Sequence, residues 1–509
     1  MKKLLLLTLV FIAFKLHAQQ TISMNINGDG KEKISRFIYG QFAEHLGRCV
    51  YDGFYLTDTN SNVKRDGRIR LDVVDALKAI NIPLLRWPGG CFADRYHWSD
   101  GIGPAAKRPQ RINITWGGLE DNSFGTDEFL HLCELLHCEP YMAGNVGTGT
   151  PQEMSDWIEY LNFDGKSTLA DMRRANGHPQ PYKVSFWGVG NESWGCGGDM
   201  TPEYYSNEYK RYASFCPNFA GAPVKKIMSG ANSDDYNWTE VCMKNTNPNM
   251  LWGLSVHYYT VVNDWTHKGS ATTFGEDEYF RGLKKALFMD KLIAQNASIM
   301  DRYDPAKKVS LCVDEWGIWT DPEPNSSVLY QQNSLRDALI AASTLNIFNQ
   351  HCDRVHMANL AQTVNVLQSL ILTEKDKMLL TPTYYVFDMF KYHQDATLLP
   401  LSFNSPNYTL GNESIPSINA SASKDSNGVV HITLVNLDPK NKISVSTAFN
   451  DIKWKDAEGK VLTSKKFTDV NTFDNPSTVK ETSFTDFKKN GYALTVNLAP
   501  MSVTLITLK

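Results

Sequence analysis

Val184-Ser-Phe-Trp-Gly-Val-Gly-Asn-Glu-Ser-Trp-Gly195 is an apolar run that ends in glycines, then an Asn-Glu pair, then tryptophan. Val309-Ser-Leu-Cys-Val-Asp-Glu-Trp-Gly-Ile-Trp319 has the same form. Short continuous apolar runs bounded by turn residues read as strands buried on both faces, as in a parallel sheet. Each of these two ends in a glutamate close to tryptophan. Working outward, six more such runs appear, at 36–43, 82–87, 139–145, 226–231, 251–257 and 354–361. Helical patterns lie between most of them. Val73, Leu77 and Ile80 share one face of a helix over 72–80, and another follows Thr126. Thr201-Pro202-Glu203 opens a third with proline at its first position. Longer ones are expected over 277–300, 328–350 and 383–393. Eight strand–helix units predict an α/β fold, a (β/α)8 TIM barrel. The rival, an open doubly wound sheet, would carry a glycine-rich loop after its first strand. Here Ala43 is followed by Glu44-His45.

Beyond residue 395 the pattern changes to period two. Val429-Val-His-Ile-Thr-Leu-Val-Asn436 follows an Asn427-Gly428 turn, and Val503-Thr-Leu-Ile-Thr-Leu508 closes the chain. This predicts a C-terminal all-β sandwich of jelly-roll type. Thr21, Ile22, Met24 and Ile26 alternate as well, so the N-terminus is expected to lend that sandwich a strand. Met1-Lys2-Lys3, the apolar Leu4 to Phe14 and the small Ala18 read as a cleaved signal peptide. The expected organisation is a signal peptide over 1–18, an N-terminal strand in 19–33, a catalytic barrel over 34–393 and the sandwich over 394–509. Secretion or a periplasmic location follows from that reading, and no stretch is long enough for a membrane anchor.

The net charge is −4; without Lys2, Lys3 and Lys15 it becomes −7, from 48 basic and 55 acidic residues. That balance gives no electrostatic case for nucleic acid or an anionic membrane as partner. The nine cysteines have no readable pairing, and CxxC and HExxH are absent, so no metal site is expected.

In a TIM barrel the chemistry sits at the carboxyl ends of the strands. Nearly every predicted strand delivers polar residues there: Glu44-His45, Arg86, Asn145, Asn191-Glu192, Asn232, His257-Tyr258-Tyr259, Glu315 and Asn359 to Gln362. Two glutamates on strands four and seven suit glycoside hydrolysis, which needs one protonated carboxyl and one ionised carboxylate across the scissile bond. One negative charge nearby disfavours a second, which separates their protonation.

The chain resembles glycoside hydrolase family 51, the α-L-arabinofuranosidases. The motifs are Tyr39-Gly-Gln-Phe-Ala-Glu-His-Leu-Gly47, Arg86-Trp-Pro-Gly-Gly90, Gly190-Asn-Glu192, His257-Tyr-Tyr259, Asp314-Glu-Trp316 and Ala361-Gln-Thr-Val-Asn365. The resemblance implies a retaining exo-acting enzyme that releases terminal arabinofuranose from arabinoxylan, arabinan or their oligosaccharides, without a cofactor. Glu192 would be the acid/base and Glu315 the nucleophile. Asn191 would donate to the sugar 2-hydroxyl. Tyr259 would orient Glu315, with His257 beside Glu192. Glu44 would accept from the outer hydroxyls, and Gln362 and Trp319 would complete the wall. Familiar members carry asparagine after the Pro-Gly-Gly; here it is Cys91, whose thiol is a weak donor and poor acceptor. Cys91 is expected as a small residue packed under the pocket. His45 either binds substrate or braces Glu44. Trp87, Trp98 and Trp116 are either sugar platforms or packing, and the loop over 50–60 is a candidate for the leaving chain. Family members are often oligomeric. The rival functions are an endo-β-glucanase or xylanase of the same clan, and a non-catalytic carbohydrate-binding protein.

Overall fold

The computed structural model describes residues 20–509. The predicted signal peptide therefore lies outside the described residues. Strand β1 is Gln20–Asn27. The barrel is built from β2 (Gly40–Phe42), β3 (Leu84–Trp87), β4 (Glu139–Gly144), β5 (Phe186–Val189), β6 (Lys225–Asn232), β7 (Gly253–Thr260), β8 (Ser310–Ile318) and β9 (Val355–Ala361). These eight pair in parallel and close, β9 against β2. Among the described residues no helix is long and apolar enough to cross a membrane.

The barrel floor is apolar. Leu84, Tyr141, Phe186, Ile227, Cys312 and Met357, one from each of six strands, pack into a separate cluster. Phe37 closes it from below, its ring edge-on to Phe186 at 4.9 Å. That explains one departure from expectation. Residues 36–39, predicted as strand, form a 3₁₀ turn, and the Ser35 hydroxyl accepts the Phe37 N–H. A side chain that satisfies the backbone locally competes with the ladder, and the turn swings Phe37 under the barrel.

Two other strands run further than their apolar cores. β7 continues through Tyr259 to Thr260, and β8 continues through Glu315 to Ile318. Polar residues can remain in a barrel strand because they find partners across the axis. β8 also carries one extra residue: Ser255 and His257 face Cys312 and Glu315, while Val313 and Trp316 face Ala358 and Leu360. A bulge re-aims side chains. Both Asp314 and Glu315 thereby reach groups inside the barrel, which strict alternation would forbid.

The C-terminal part is two packed sheets. One has the order Leu401–Phe403, β1, Ile443–Asn450, Ala493–Leu498, Phe487–Asn490; the other runs Thr397–Leu398, Ile418–Lys424, Val430–Asn436, Ser502–Leu508, Ala457–Leu462, Thr482–Ser483. Ile22, Met24 and Ile26 of β1 enter the core between them. The second sheet lies on the barrel through helix α1 (Leu335–Gln350), which is buried on every face. Its polar Asn346 meets two sheet hydroxyls: Ser421 and Thr433 donate to its Oδ1 at 2.7 and 2.6 Å. Removing such an acceptor strands buried donors, at a cost of about 2 kcal/mol. Asn346→Ala is expected to lower the melting temperature while the barrel and sandwich still unfold together. Two separated transitions in calorimetry would contradict a shared junction.

Candidate active site

Gly190, Asn191 and Glu192 form a tight turn at the end of β5. Gly190 has φ +89° and Glu192 has φ +41°. A left-handed non-glycine residue is strained, and such strain collects at functional sites. The turn also breaks side-chain alternation, so both Asn191 and Glu192 reach the barrel mouth.

Glu315 is held on both oxygens. Arg86 donates to Oε1 at 2.9 Å and the Tyr259 hydroxyl donates to Oε2 at 2.7 Å. His257 Nδ1 stands 3.0 Å from Glu192 Oε1 and 3.6 Å from Glu315 Oε2. Carboxylate oxygens of Glu192 and Glu315 and the His257 ring nitrogen all lie within 4.8 Å of one another. Their environments push the two acids apart. Burial raises Glu192, and the charge of Glu315 adds to it, outweighing the His257 contact. Burial would raise Glu315 too, but the charges of His257 and Arg86, with the Tyr259 and Arg86 hydrogen bonds, bring it below its ordinary value. His257 itself rises: burial opposes its charge, and Glu315 and Glu192 overcome that.

Glu44 lies across the mouth. Its Oε1 accepts from the Phe92 N–H at 3.0 Å and Trp116 Nε1 at 2.8 Å; its Oε2 accepts from Gln362 Nε2 at 2.9 Å. The Pro-Gly-Gly turn is glycine for this reason: a Cβ on Gly90 would stand 2.8 Å from Glu44 Oε2. Asn191 Oδ1 accepts from Arg86 Nη2 at 2.6 Å, which leaves its Nδ2 facing the mouth at 3.9 Å from Cys196 Sγ. Trp319 packs edge-on to Tyr259 at 5.0 Å, and the exposed Trp265 packs edge-on to Trp319 at 5.4 Å. A cleft of about 970 Å³ runs outward from Glu192 between Trp194, Trp265, Trp319 and Phe288.

The candidate residues thus converge, with one correction. Cys91 offers no thiol: it is bridged to Cys196. A disulfide sulfur carries no proton, so its 3.7 and 3.4 Å contacts from Cys91 and Cys196 to Glu192 Oε2 are packing, not donation. His45 is wholly buried, with Nδ1 2.7 Å from Glu120 and Nε2 accepting from Trp87. Trp87 and Trp98 are core, whereas Trp116 touches Glu44. The tryptophans after the two glutamates differ as well: Trp316 packs against Phe348 in the helix layer, and Trp194 lines the cleft. Sequence reasoning placed Arg86 at the mouth without giving it a role, and passed over Cys196.

A TIM-barrel mouth with two close carboxylates is the arrangement that glycoside hydrolysis requires, and likeness to known proteins places the chain in that class. Residues 76–281 match the model of the α-L-arabinofuranosidase 1 domain, and 314–502 that of the α-L-arabinofuranosidase C-terminal domain. An intracellular exo-α-L-arabinofuranosidase of Bacteroides ovatus is 48% identical over the full length of both chains. The crystal structure of the family 51 arabinofuranosidase from Xanthomonas axonopodis pv. citri covers 96% of this chain and all of its own, with a TM-score of 0.94 at 45% identity. That of the Thermotoga maritima α-L-arabinofuranosidase, an arabinose complex, covers 96% and 99%, with a TM-score of 0.85 at 32% identity. The chain belongs to the α-L-arabinofuranosidases of glycoside hydrolase family 51. The same comparison corrects the expected secreted or periplasmic location: the relative matched end to end is named an intracellular enzyme, and that expectation is withdrawn.

Burial, then the charge of Glu315, pushes the Glu44 carboxyl up to about 7 despite its three donors. The folded state therefore holds this proton more tightly than the unfolded chain does. Stability from it is present below the ordinary carboxyl range and is lost as pH rises to about 7. Glu44→Gln does not titrate, and its new amide can donate to Gln362 Oε1, which has no partner among the described residues, once the Gln362 amide flips away from its present Nε2 contact. The variant is expected to melt higher than the parent at pH 8, being more stable by on the order of 3 kcal/mol, and to lose that advantage below about pH 4. Thermal unfolding across pH measures this.

Proposed function

We propose that this protein is a retaining exo-α-L-arabinofuranosidase that removes terminal non-reducing arabinofuranose from arabinose-bearing plant polysaccharides or their oligosaccharides. The observation that carries the reading is the pair Glu192 and Glu315, close together and shifted oppositely. Glu315, ionised under Arg86 and Tyr259, attacks the anomeric carbon. Glu192, protonated, delivers its proton to the leaving oxygen. A glycosyl ester on Glu315 results. Glu192, now a carboxylate, takes a proton from water as that water attacks the ester, and both residues return to their starting state. Asn191 Nδ2 donates to the sugar 2-hydroxyl, a bond that strengthens as positive charge develops on the ring. Glu44 and Gln362 receive the outer hydroxyls.

Two features support exo action. Phe92, Trp116, Gln362 and the glycine turn wall in Glu44, and the wide cleft touches Glu192 but not Glu44 or Glu315. The leaving chain thus has room on the side of the proton donor, and the terminal sugar sits in the narrow part. The endo-glucanase or xylanase reading lacks such support.

Aryl glycosides of different sugars test the proposal: the α-L-arabinofuranoside should turn over, and cleavage of only the β-xyloside or β-glucoside would overturn it. Glu315→Ala should abolish turnover. Glu192→Ala should cost about 10²–10⁴-fold on natural substrates and far less with a nitrophenol leaving group. The pH profile of kcat/KM should be a bell, rising as Glu315 ionises and falling as Glu192 does. In Glu192→Ala, assayed on an activated substrate, the falling limb should disappear.

A further inference from the structure

The Cys91–Cys196 bridge joins the turn after β3 to the turn after β5. Both sulfurs lie against Glu192 Oε2, at 3.7 and 3.4 Å. Cys196 is exposed at the mouth and Cys91 is half-buried, so a small reductant reaches them. A divalent ion bound tetrahedrally by thiolate at about 2.3 Å and carboxylate at about 2.0 Å spaces sulfur and oxygen about 3.5 Å apart. The two sulfurs already stand near that distance from Glu192. The remaining S···S edge of such a tetrahedron is about 3.8 Å, an ordinary non-bonded sulfur contact, which opening the bridge permits.

We propose that this bridge is a redox-convertible metal site: once reduced, Cys91 and Cys196 together with Glu192 take up one zinc or cadmium ion, which holds the enzyme inactive. A dithiol reductant supplies two electrons and two protons, breaks the S–S bond and leaves as its own disulfide. The cation then displaces both thiol protons and the Glu192 proton to solvent and bonds both thiolates and Glu192 Oε2; water fills the fourth position. Glu192 can no longer carry a proton while it is a ligand. Re-oxidation by diamide, which accepts the two electrons and takes two protons from water to become its hydrazine, re-forms the S–S bond, removes both sulfur ligands and releases the ion. The loss of activity rests on Glu192 being the acid/base, whereas metal uptake does not.

Protein reduced with dithiothreitol, freed of reductant without oxygen, is titrated with cadmium while the thiolate-to-cadmium charge-transfer band is followed. One equivalent should bind to the reduced protein and none to diamide-oxidised protein. Activity on the aryl arabinofuranoside should fall with the same midpoint and return on adding a chelator. Cys196→Ser, at an exposed position, should weaken cadmium binding at least about 100-fold, as should Cys91→Ser. The other cysteines among the described residues are buried, except the half-buried Cys138. A band that persists in the Cys91→Ser/Cys196→Ser double variant, or that forms equally on oxidised protein, overturns the proposal. So does stoichiometric uptake with undiminished turnover. No turnover by the metal-free reduced protein, where the oxidised protein is active, would also overturn the claim that the metal holds the enzyme inactive. No turnover by the oxidised protein would instead strike the proposed activity, and the band would still judge the metal site.

Discussion

The guanidinium of Arg86 lies within the barrel among Glu315, Asp314, Glu192 and Glu44, and little of it meets solvent. A buried cation is costly unless acceptors surround it. Here Glu315 and Asn191 take its two outer nitrogens, and the Phe42 ring lies 4.4 Å beneath it. The negative charge of Glu315 and Asp314 overcomes burial and keeps the group charged. Negative groups outnumber positive ones around it, so they cannot all ionise. His257 and Arg86 together decide which one does. Glu315, which Arg86 touches, is lowered; Glu192, Asp314 and Glu44, which it does not hydrogen-bond, are raised. The division of labour between two chemically identical glutamates follows from their partners: the charges of His257 and Arg86 and the Tyr259 hydroxyl lower Glu315, while burial raises Glu192.

The rest of the mouth keeps that arrangement from relaxing. The bulge in β8 turns Asp314 toward Tyr141 and Asn359 while Glu315 meets Arg86 and Tyr259. Neither carboxylate can move without abandoning a buried partner. Below, an apolar floor closes the axis. On one flank α1 passes from barrel to sandwich without an exposed face. Bringing charge into so buried a place strengthens each interaction there, favourable or not.

Much of this was legible in the sequence. Eight apolar runs, their spacing and the polar residues after them gave the barrel and the residues at its mouth, because a parallel barrel must bury its strands and expose their ends. What escaped was set by contacts that no local pattern records. Helices at Pro151–Asn162, Thr168–Ala175 and Tyr236–Asn245 went unread, although Thr150, Ser167 and Asp235 cap them. Polar composition blurs the apolar stripe of Thr168–Ala175. The strand ends of β7 and β8 were placed short because His257, Tyr259 and Glu315 look like loop residues until their partners are seen. Cys91 and Cys196 are 105 residues apart, and nothing in that spacing says they meet.

β1 is the edge-to-centre splice of the whole molecule. It lies between Leu401–Phe403 and Ile443–Asn450, and the latter is made roughly 420 residues after it. At about 5–20 residues per second of synthesis, that strand waits roughly 20–80 s for its parallel partner. Throughout that interval Ile22, Met24 and Ile26 have no sandwich core to enter, while the barrel is made between them and their destination. The first described strand is thus among the last to be seated. Until its partners are made, both edges of that strand are open to pairing.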